Sequence, residues 1–302
     1  MDIEESLRKK IFTVTAELAP VKGTDLSYVV SEAVKIKDKI HGINITDNQR
    51  AIMRSSPLAL SRLLVEKGIS PICQLTCRDR NRLALQSDLL ALSILGVKNI
   101  LMLTGDTISS GDHPQAKAVF DLDAITLIAT AKTLISGKDL AGKDLIGKPN
   151  FFIGAAVNPG AEPKELQVLQ TVRKIEAGAE FFQTQLIFDK QVLEEFINLF
   201  EKEYISAEKL NLLAGIFPLK SSKQARFFNS KIPGVKIPDF IVERLESSAD
   251  PESEGIEIAW ELIKSLRPFI RGVHLMTMGN NRALEKLIDR INLEIIKPNV
   301  SG

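Results

Sequence analysis

The run TVTAELAPVKG, residues 13–23, places one carboxylate, Glu17, where a strand-like segment ends and just before Pro20 and Gly23. An acid there with few cationic neighbours in sequence, held in a partly apolar pocket, keeps its proton and can act as a general acid. The bland alternative is a surface ion pair, which also perturbs carboxylates. Other polar side chains recur where apolar runs end. They are Thr46, Asp47 and Asn48, then Gln74 and Thr76, Thr104 and Asp106, Asn158, Gln183 and Gln185, and finally Thr277, Asn280, Asn281 and Arg282. A set made mainly of amides and hydroxyls suits a polar organic ligand held by many hydrogen bonds. Gln183 and Gln185 share one strand face by period-two geometry. A buried glutamine must find partners, either in a ligand or in the backbone and its neighbours.

Other chemistries find little support. No Cys–His nucleophile pair and no H-E-x-x-H occurs, and His41, His113 and His274 are the only histidines, so no metal site is expected. GKDLAGK (137–143) and GKDLIGK (142–148) have the glycine–lysine spacing of a phosphate loop. Neither continues with Ser or Thr, nor lies between a strand and a helix, so both read as surface turns. Cys73 and Cys77 lack a second pair and read as small buried hydrophobes. No G-x-G-x-x-G appears, which argues against a Rossmann dinucleotide site.

The elements that must carry these side chains alternate regularly. Strand-like runs at 10–18, 42–46, 71–77, 98–105, 151–157, 181–188, 210–218 and 272–278 are each followed by helical spacing. The helices are expected at 25–40, 57–68, 81–95, 121–136, 164–179, 190–204, 220–229 with 252–266, and 280–293. Eight strand–helix units in 302 residues make a (β/α)₈ barrel, with a doubly wound open sheet as runner-up. The whole chain, 1–302, is expected to be one domain, with catalytic groups at the C-terminal ends of the strands. The stretch 106–120 is the longest without structure, an extra helix is expected near 238–246, and the acidic run 250–255 reads as a solvated turn.

Composition agrees with a globular α/β protein: 44% hydrophobic, 25% charged and a net charge of +1. That balance offers neither a nucleic-acid groove nor a polybasic membrane patch. The charged start MDIEESLRKK is no signal peptide, and no apolar run approaches a membrane span. Two cysteines without a bridging geometry fit a reduced, cytoplasmic protein.

The ordered set TAELAPVKG, INITDNQ, QLTCRDRNRLALQSDLLAL, LMLTGD, TQLIFD and GIFPLKSSKQARFF resembles the methylenetetrahydrofolate reductase family. The likeness runs from about residue 11 to 293, and GDHPQAKAVFDLD and GAAVNP resemble its short, acetogen- and anaerobe-like branch. The resemblance implies a barrel with a flavin, FAD, across its C-terminal face. It implies reduction of 5,10-methylenetetrahydrofolate to 5-methyltetrahydrofolate, with hydride passing through flavin N5, in one-carbon metabolism. On this resemblance Glu17 protonates the folate and opens its imidazolidine ring to an iminium. Asp106 tunes the flavin and stabilises the cationic intermediate. Gln185 contacts the pterin. Gln224 and Phe228 lie on the substrate side, with Phe228 a stacking surface for nicotinamide or the benzoyl group. Thr46, Gln74, Thr104, Gly105, Asp106, Ala156, Arg173 and Lys174 hold the flavin, the last two at its pyrophosphate.

The pattern departs from the family at Gln74 (histidine elsewhere), Thr104 (arginine), Asp47 (aromatic) and Phe120 (tyrosine), so FMN is an alternative to FAD. The electron donor is NAD(P)H or a partner subunit, in a homo- or hetero-oligomer. A pterin-binding methyltransferase barrel or a partner-dependent reductase subunit is the competing reading.

Overall fold

The computed structural model describes residues 1–204, 210–232 and 234–296. Eight parallel strands close into one barrel in sequence order. The strands are β1 Thr13–Leu18, β2 Gly42–Ile45, β3 Pro71–Thr76, β4 Asn99–Leu103, β5 Phe152–Val157, β6 Phe181–Leu186, β7 Leu212–Ile216 and β8 Gly272–Leu275. Parallel neighbours need long crossovers. These are the helices α2 Ser27–Ile36, α3 Pro57–Glu66, α4 Arg82–Ile94, α5 Ala124–Ile135, α6 Lys164–Ala177 and α7 Lys190–Glu203, then three between β7 and β8: α8 Ser222–Lys231, α9 Asp239–Ser247 and α10 Pro251–Leu266. The closing helix α11 is Asn281–Ile291. Cap chemistry marks several starts: Asn81 accepts from the Leu83 and Ala84 amides, and Asp123 forms a capping box with Thr126.

Strand alternation divides the core in two. Outward residues such as Val14, Ile43, Cys73, Ile100, Ile153, Phe182 and Val273 pack under the helices. Inward residues at the N-terminal end form a separate apolar cluster of Ile72, Leu101, Phe152, Phe181 and Leu213. The Phe152 and Phe181 rings stack at 5.1 Å. Gly154 makes room for this stack, since a Cβ there would lie 2.2 Å from the Phe181 ring.

A helix unforeseen from sequence, α1 Ile3–Arg8, closes that end. Its charges pair along its own surface, Arg8 with Glu4 and Lys9 with Glu5, while Ile3 and Leu7 enter the barrel cluster. Burying two such side chains contributes roughly 1.5–3 kcal/mol each. Two apolar residues in six are too few for a periodicity to show in sequence.

Two further expectations are corrected. The acidic run 250–255 is not a solvated turn but the first turn of α10, capped by Asp250 on the Ser253 amide at 3.2 Å. Acids favour a helix N-terminus, and Glu254 is additionally paired with Arg244 at 2.5 Å. Strand β8 stops at Leu275 rather than 278, because Met278 and Gly279 turn the chain through positive φ of 47° and 87° toward α11. No helix among the described residues is long and apolar enough to cross a membrane.

Candidate active site

Above the apolar plug the inward positions become polar. Asn44 and Gln183 face each other across the barrel and pair through both ends of their amides, at 2.6 and 3.0 Å. Gln183 also donates to Thr15 at 3.3 Å, and Thr15 meets Nδ1 of His274 at 3.0 Å. The Nε2 of His274 lies 3.7 Å from a carboxylate oxygen of Glu17, whose side chain is 14% exposed. Register explains the assembly, since Thr15 lies opposite His274 and Glu17 opposite Asn44. Period-two alternation therefore stacks Thr15 and Glu17 on one inner face.

Glu17 opens into a cavity of about 400 Å³ at the C-terminal mouth, within the range of small-molecule sites. Of the residues singled out from sequence, Glu17, Gln74, Thr104, Gly105, Asp106, Ala156, Lys174 and Gln185 line it, as do Asp47, Thr76, Asn158 and Gln183. The amide of Gln183 is engaged by Asn44 and Thr15, which is the structural alternative weighed for it. Lys174 Nζ donates to the Ala156 carbonyl at 2.7 Å, and burial pulls its ammonium below the ordinary lysine value.

Four expected site residues lie elsewhere. Thr46 is fully buried beneath the mouth, and its hydroxyl has no hydrogen-bond partner. Arg173 is exposed on α6 outside the cavity lining. Gln224 accepts from the Lys220 amide at 3.0 Å, closing the turn into α8. Phe228 is 1% exposed and meets Phe217 edge-on at 4.9 Å. Its ring faces are occupied by the core beneath α8 and α9, so in this conformation it offers no stacking surface.

The departures also have structural accounts. Asp47 has its carboxylate engaged at the cavity wall, in a fork with Arg80 at 2.7 and 3.2 Å, and accepts the Thr76 amide and hydroxyl, both at 2.9 Å. Thr104 spends its hydroxyl on the Ala124 amide at the start of α5, at 3.2 Å. Gly105 has a φ of 99°, and a Cβ there would meet the Arg78 side chain at 3.0 Å. Phe120 is exposed and has a φ of 43°. The 106–120 stretch holds only one short 3₁₀ turn, at Ile108–Ser110. The repeated glycine–lysine segments form surface turns, bridged between Lys138 and Asp144. Cys73 and Cys77 are buried and free, and burial pushes both thiols up to about 12.

Residues not anticipated for the site are His274, Gln49, Gln167 and Thr184, all lining the cavity. For His274 a signal existed: it is the polar residue between Val273 and Leu275, hence inward by alternation. Gln49 had none, because an irregular loop delivers it. Its Nε2 lies 3.3 Å from Glu17 Oε1.

The fold and the mouth define a (β/α)₈ barrel with a small polar-ligand site. The family model described as methylenetetrahydrofolate reductase matches residues 2–292, and the chain belongs to that family. The 5,10-methylenetetrahydrofolate reductase of Pectobacterium carotovorum subsp. carotovorum is 24% identical over 93% of this chain and 82% of its own length. Methylenetetrahydrofolate reductase 2 of Schizosaccharomyces pombe is 22% identical over 78% of this chain, which spans only 38% of that relative. Among solved structures, an uncharacterized Clostridium thermocellum protein that binds two copies of 5-methyl-5,6,7,8-tetrahydrofolic acid shares the fold. It has a TM-score of 0.66 and 15% identity, covering 95% of this chain and 96% of that one.

The family is generally flavin-dependent. The mouth fits the ring portion of such a group: Gln74 and Gln185 present amides at its wall, the Gln185 oxygen already accepting the Leu186 amide at 3.0 Å, Gly105 and Ala156 leave room, and Lys174 retains donors beyond its bond to Ala156. For a diphosphate tail the provision is thinner. Among the described residues lining the cavity Lys174 is the one lysine or arginine, against Glu17, Asp47 and Asp106.

Proposed function

We propose that this chain reduces 5,10-methylenetetrahydrofolate to 5-methyltetrahydrofolate at the C-terminal mouth of its barrel. The observation that carries the reading is Glu17 at the cavity wall, with His274 behind it and Gln49 beside it. Family membership supports the reaction class, and the methyltetrahydrofolate bound by the Clostridium neighbour supports a reduced folate as ligand.

In this reading Glu17 gives a proton to the folate nitrogen that leaves the bridging carbon, opening the five-membered ring to an iminium able to accept hydride. His274, fixed by Thr15 on its Nδ1 side, orients the carboxyl from behind. Gln185 hydrogen-bonds the pterin edge, and Asp106 lends negative potential to the cationic intermediate. Gln74, Thr104, Gly105, Asp106, Ala156 and Lys174 would hold the flavin ring, with FAD the first assignment and FMN the alternative. A bound flavin supplies the hydride, and NAD(P)H or a partner protein replenishes it. The apolar plug below the polar layer keeps water from approaching through the barrel.

The test is Glu17→Gln. Folate reduction should fall by about 10²–10⁴-fold, the usual worth of a positioned acid. Binding of 5-methyltetrahydrofolate, followed by calorimetry, should persist. A variant that keeps its full reduction rate overturns the proton-donor assignment. Absorption of the purified protein is the companion measurement. A colourless chain that takes up no added flavin, yet binds folate, would favour a pterin-binding methyltransferase.

A further inference from the structure

The β2–α3 turn is an unusual piece of backbone. Asn48, Arg50 and Ala51 all lie in the left-handed region, with φ of 43°, 59° and 55°. Non-glycine residues rarely adopt this conformation, and three within four positions persist only where the surroundings hold them. The surroundings here do so from two sides. Asp106 Oδ2 accepts the Arg50 amide at 2.7 Å, and Asn48 Oδ1 accepts the Arg54 amide at 2.9 Å. Gly111 of the β4–α5 loop packs against the Ala51 carbonyl so closely that a Cβ on it would fall 1.8 Å from that oxygen. The residue inside this held turn is Gln49, and its side chain reaches Glu17.

We propose that Gln49 is a positioning residue for Glu17, and that Asp106 sets it in place by holding the strained turn. The inference rests on the proton-donor reading of Glu17. Gln49 Nε2 donates to Glu17 Oε1 on one side of the carboxyl, while His274 stands near the other oxygen. The carboxyl thereby keeps one face toward the cavity. Asp106 is tied to Glu17 through a short path: its carboxylate, the Arg50 amide, the adjoining Gln49 side chain, then Glu17. Glu17 and Asp106 act as one unit, and Asp106 has a role in the ligand-free protein that needs no contact with the ligand.

The experiment combines single and paired variants. Gln49→Ala should lower kcat for folate reduction about three- to tenfold, with KM changed by less than about twofold. Gln49→Glu keeps the length of the side chain but sets a carboxylate against Glu17, so it should lose more than Gln49→Ala. A part that merely fills space predicts the opposite order. In a Glu17→Gln background, Gln49→Ala should cost nothing further. Hydrogen exchange over residues 46–54 should accelerate in Asp106→Ala and stay near the parent rate in Gln49→Ala.

Equal losses from Gln49→Ala in the parent and in Glu17→Gln, or a Gln49→Glu variant as active as the parent, overturn the positioning role. Unchanged exchange in Asp106→Ala overturns the part assigned to Asp106. Full turnover by Glu17→Gln alone would instead sink the proton-donor reading and with it the positioning role of Gln49. The exchange measurement would still decide what holds the turn.

Discussion

Replacing Gln183 by leucine should destabilise the barrel more than most single substitutions, and replacing Asn44 as well should restore much of the loss. Gln183 is 3% exposed and Asn44 fully buried, and each satisfies the other at both amide ends. Leucine at 183 leaves the Nδ2 and Oδ1 of Asn44 without partners. An orphaned buried polar group costs about 1–3 kcal/mol, so the two together cost about 2–6 kcal/mol. A domain of ordinary stability has about 5–15 kcal/mol in all. Thr15 keeps its contact with His274 and adds little. With leucine at both positions no amide is stranded, and similar volume is retained. Removing both partners of a buried pair is close to neutral in favourable cases. Urea unfolding of the parent, both single variants and the pair measures the four free energies, with equal slopes required for the comparison. The coupling should then exceed the smaller of the two single losses, at about 2 kcal/mol or more. A paired variant whose loss equals the sum of the single losses within about 0.5 kcal/mol would refute the account of this layer as one mutually satisfied unit.

Lys174 predicts a pH dependence. Burial lowers its native value below the ordinary 10.5, so the unfolded chain binds more protons than the native one between those two values. Stability should therefore rise with pH across that window, its lysine-derived penalty vanishing near 10.5. Lys174→Met should flatten this rise in urea midpoints, and identical slopes in the two proteins would contradict the burial effect. Cys73 and Cys77, with thiols pushed up to about 12, should resist a thiol-specific reagent at neutral pH in the native protein and react after unfolding. Attack requires the thiolate. Fast native labelling of either would show that it is reached by solvent.

The fold was legible because parallel strands under helices leave a repeated mark. Runs such as PICQLTC and FFIGAAV are short, apolar on the outward positions and followed by amphipathic spacing. Eight repeats of that mark leave few other architectures. The expected boundaries differ from the observed ones mainly at strand ends, where pairing stops before apolar character does. Met276 is still partly packed beyond the end of β8. Helix α1 escaped because its stability comes from plugging the barrel, a tertiary contact that a run of charges conceals.

The site was legible in proportion to how regular the backbone beneath it is. Glu17, Gln74, Ala156 and Gln185 ride on strands, where period two alone dictates which side chains face inward. Phe228 rides on a helix whose apolar face points to a secondary core, and from sequence an aromatic at helical spacing cannot be told from a ligand surface until that core is known. Asp47 shows the same limit for charge: read alone it is one more acid at a strand end, but Arg80, 33 positions on, already occupies its carboxylate. Gln49 lay furthest from view, because its place depends on three left-handed residues held by Asp106 and the β4–α5 loop. Strand periodicity thus fixes which residues face the mouth, while non-local contacts fix which of them are free to meet a ligand. That division explains why Glu17, the acid proposed as proton donor, was nameable from eleven residues of sequence and the group beside it was not.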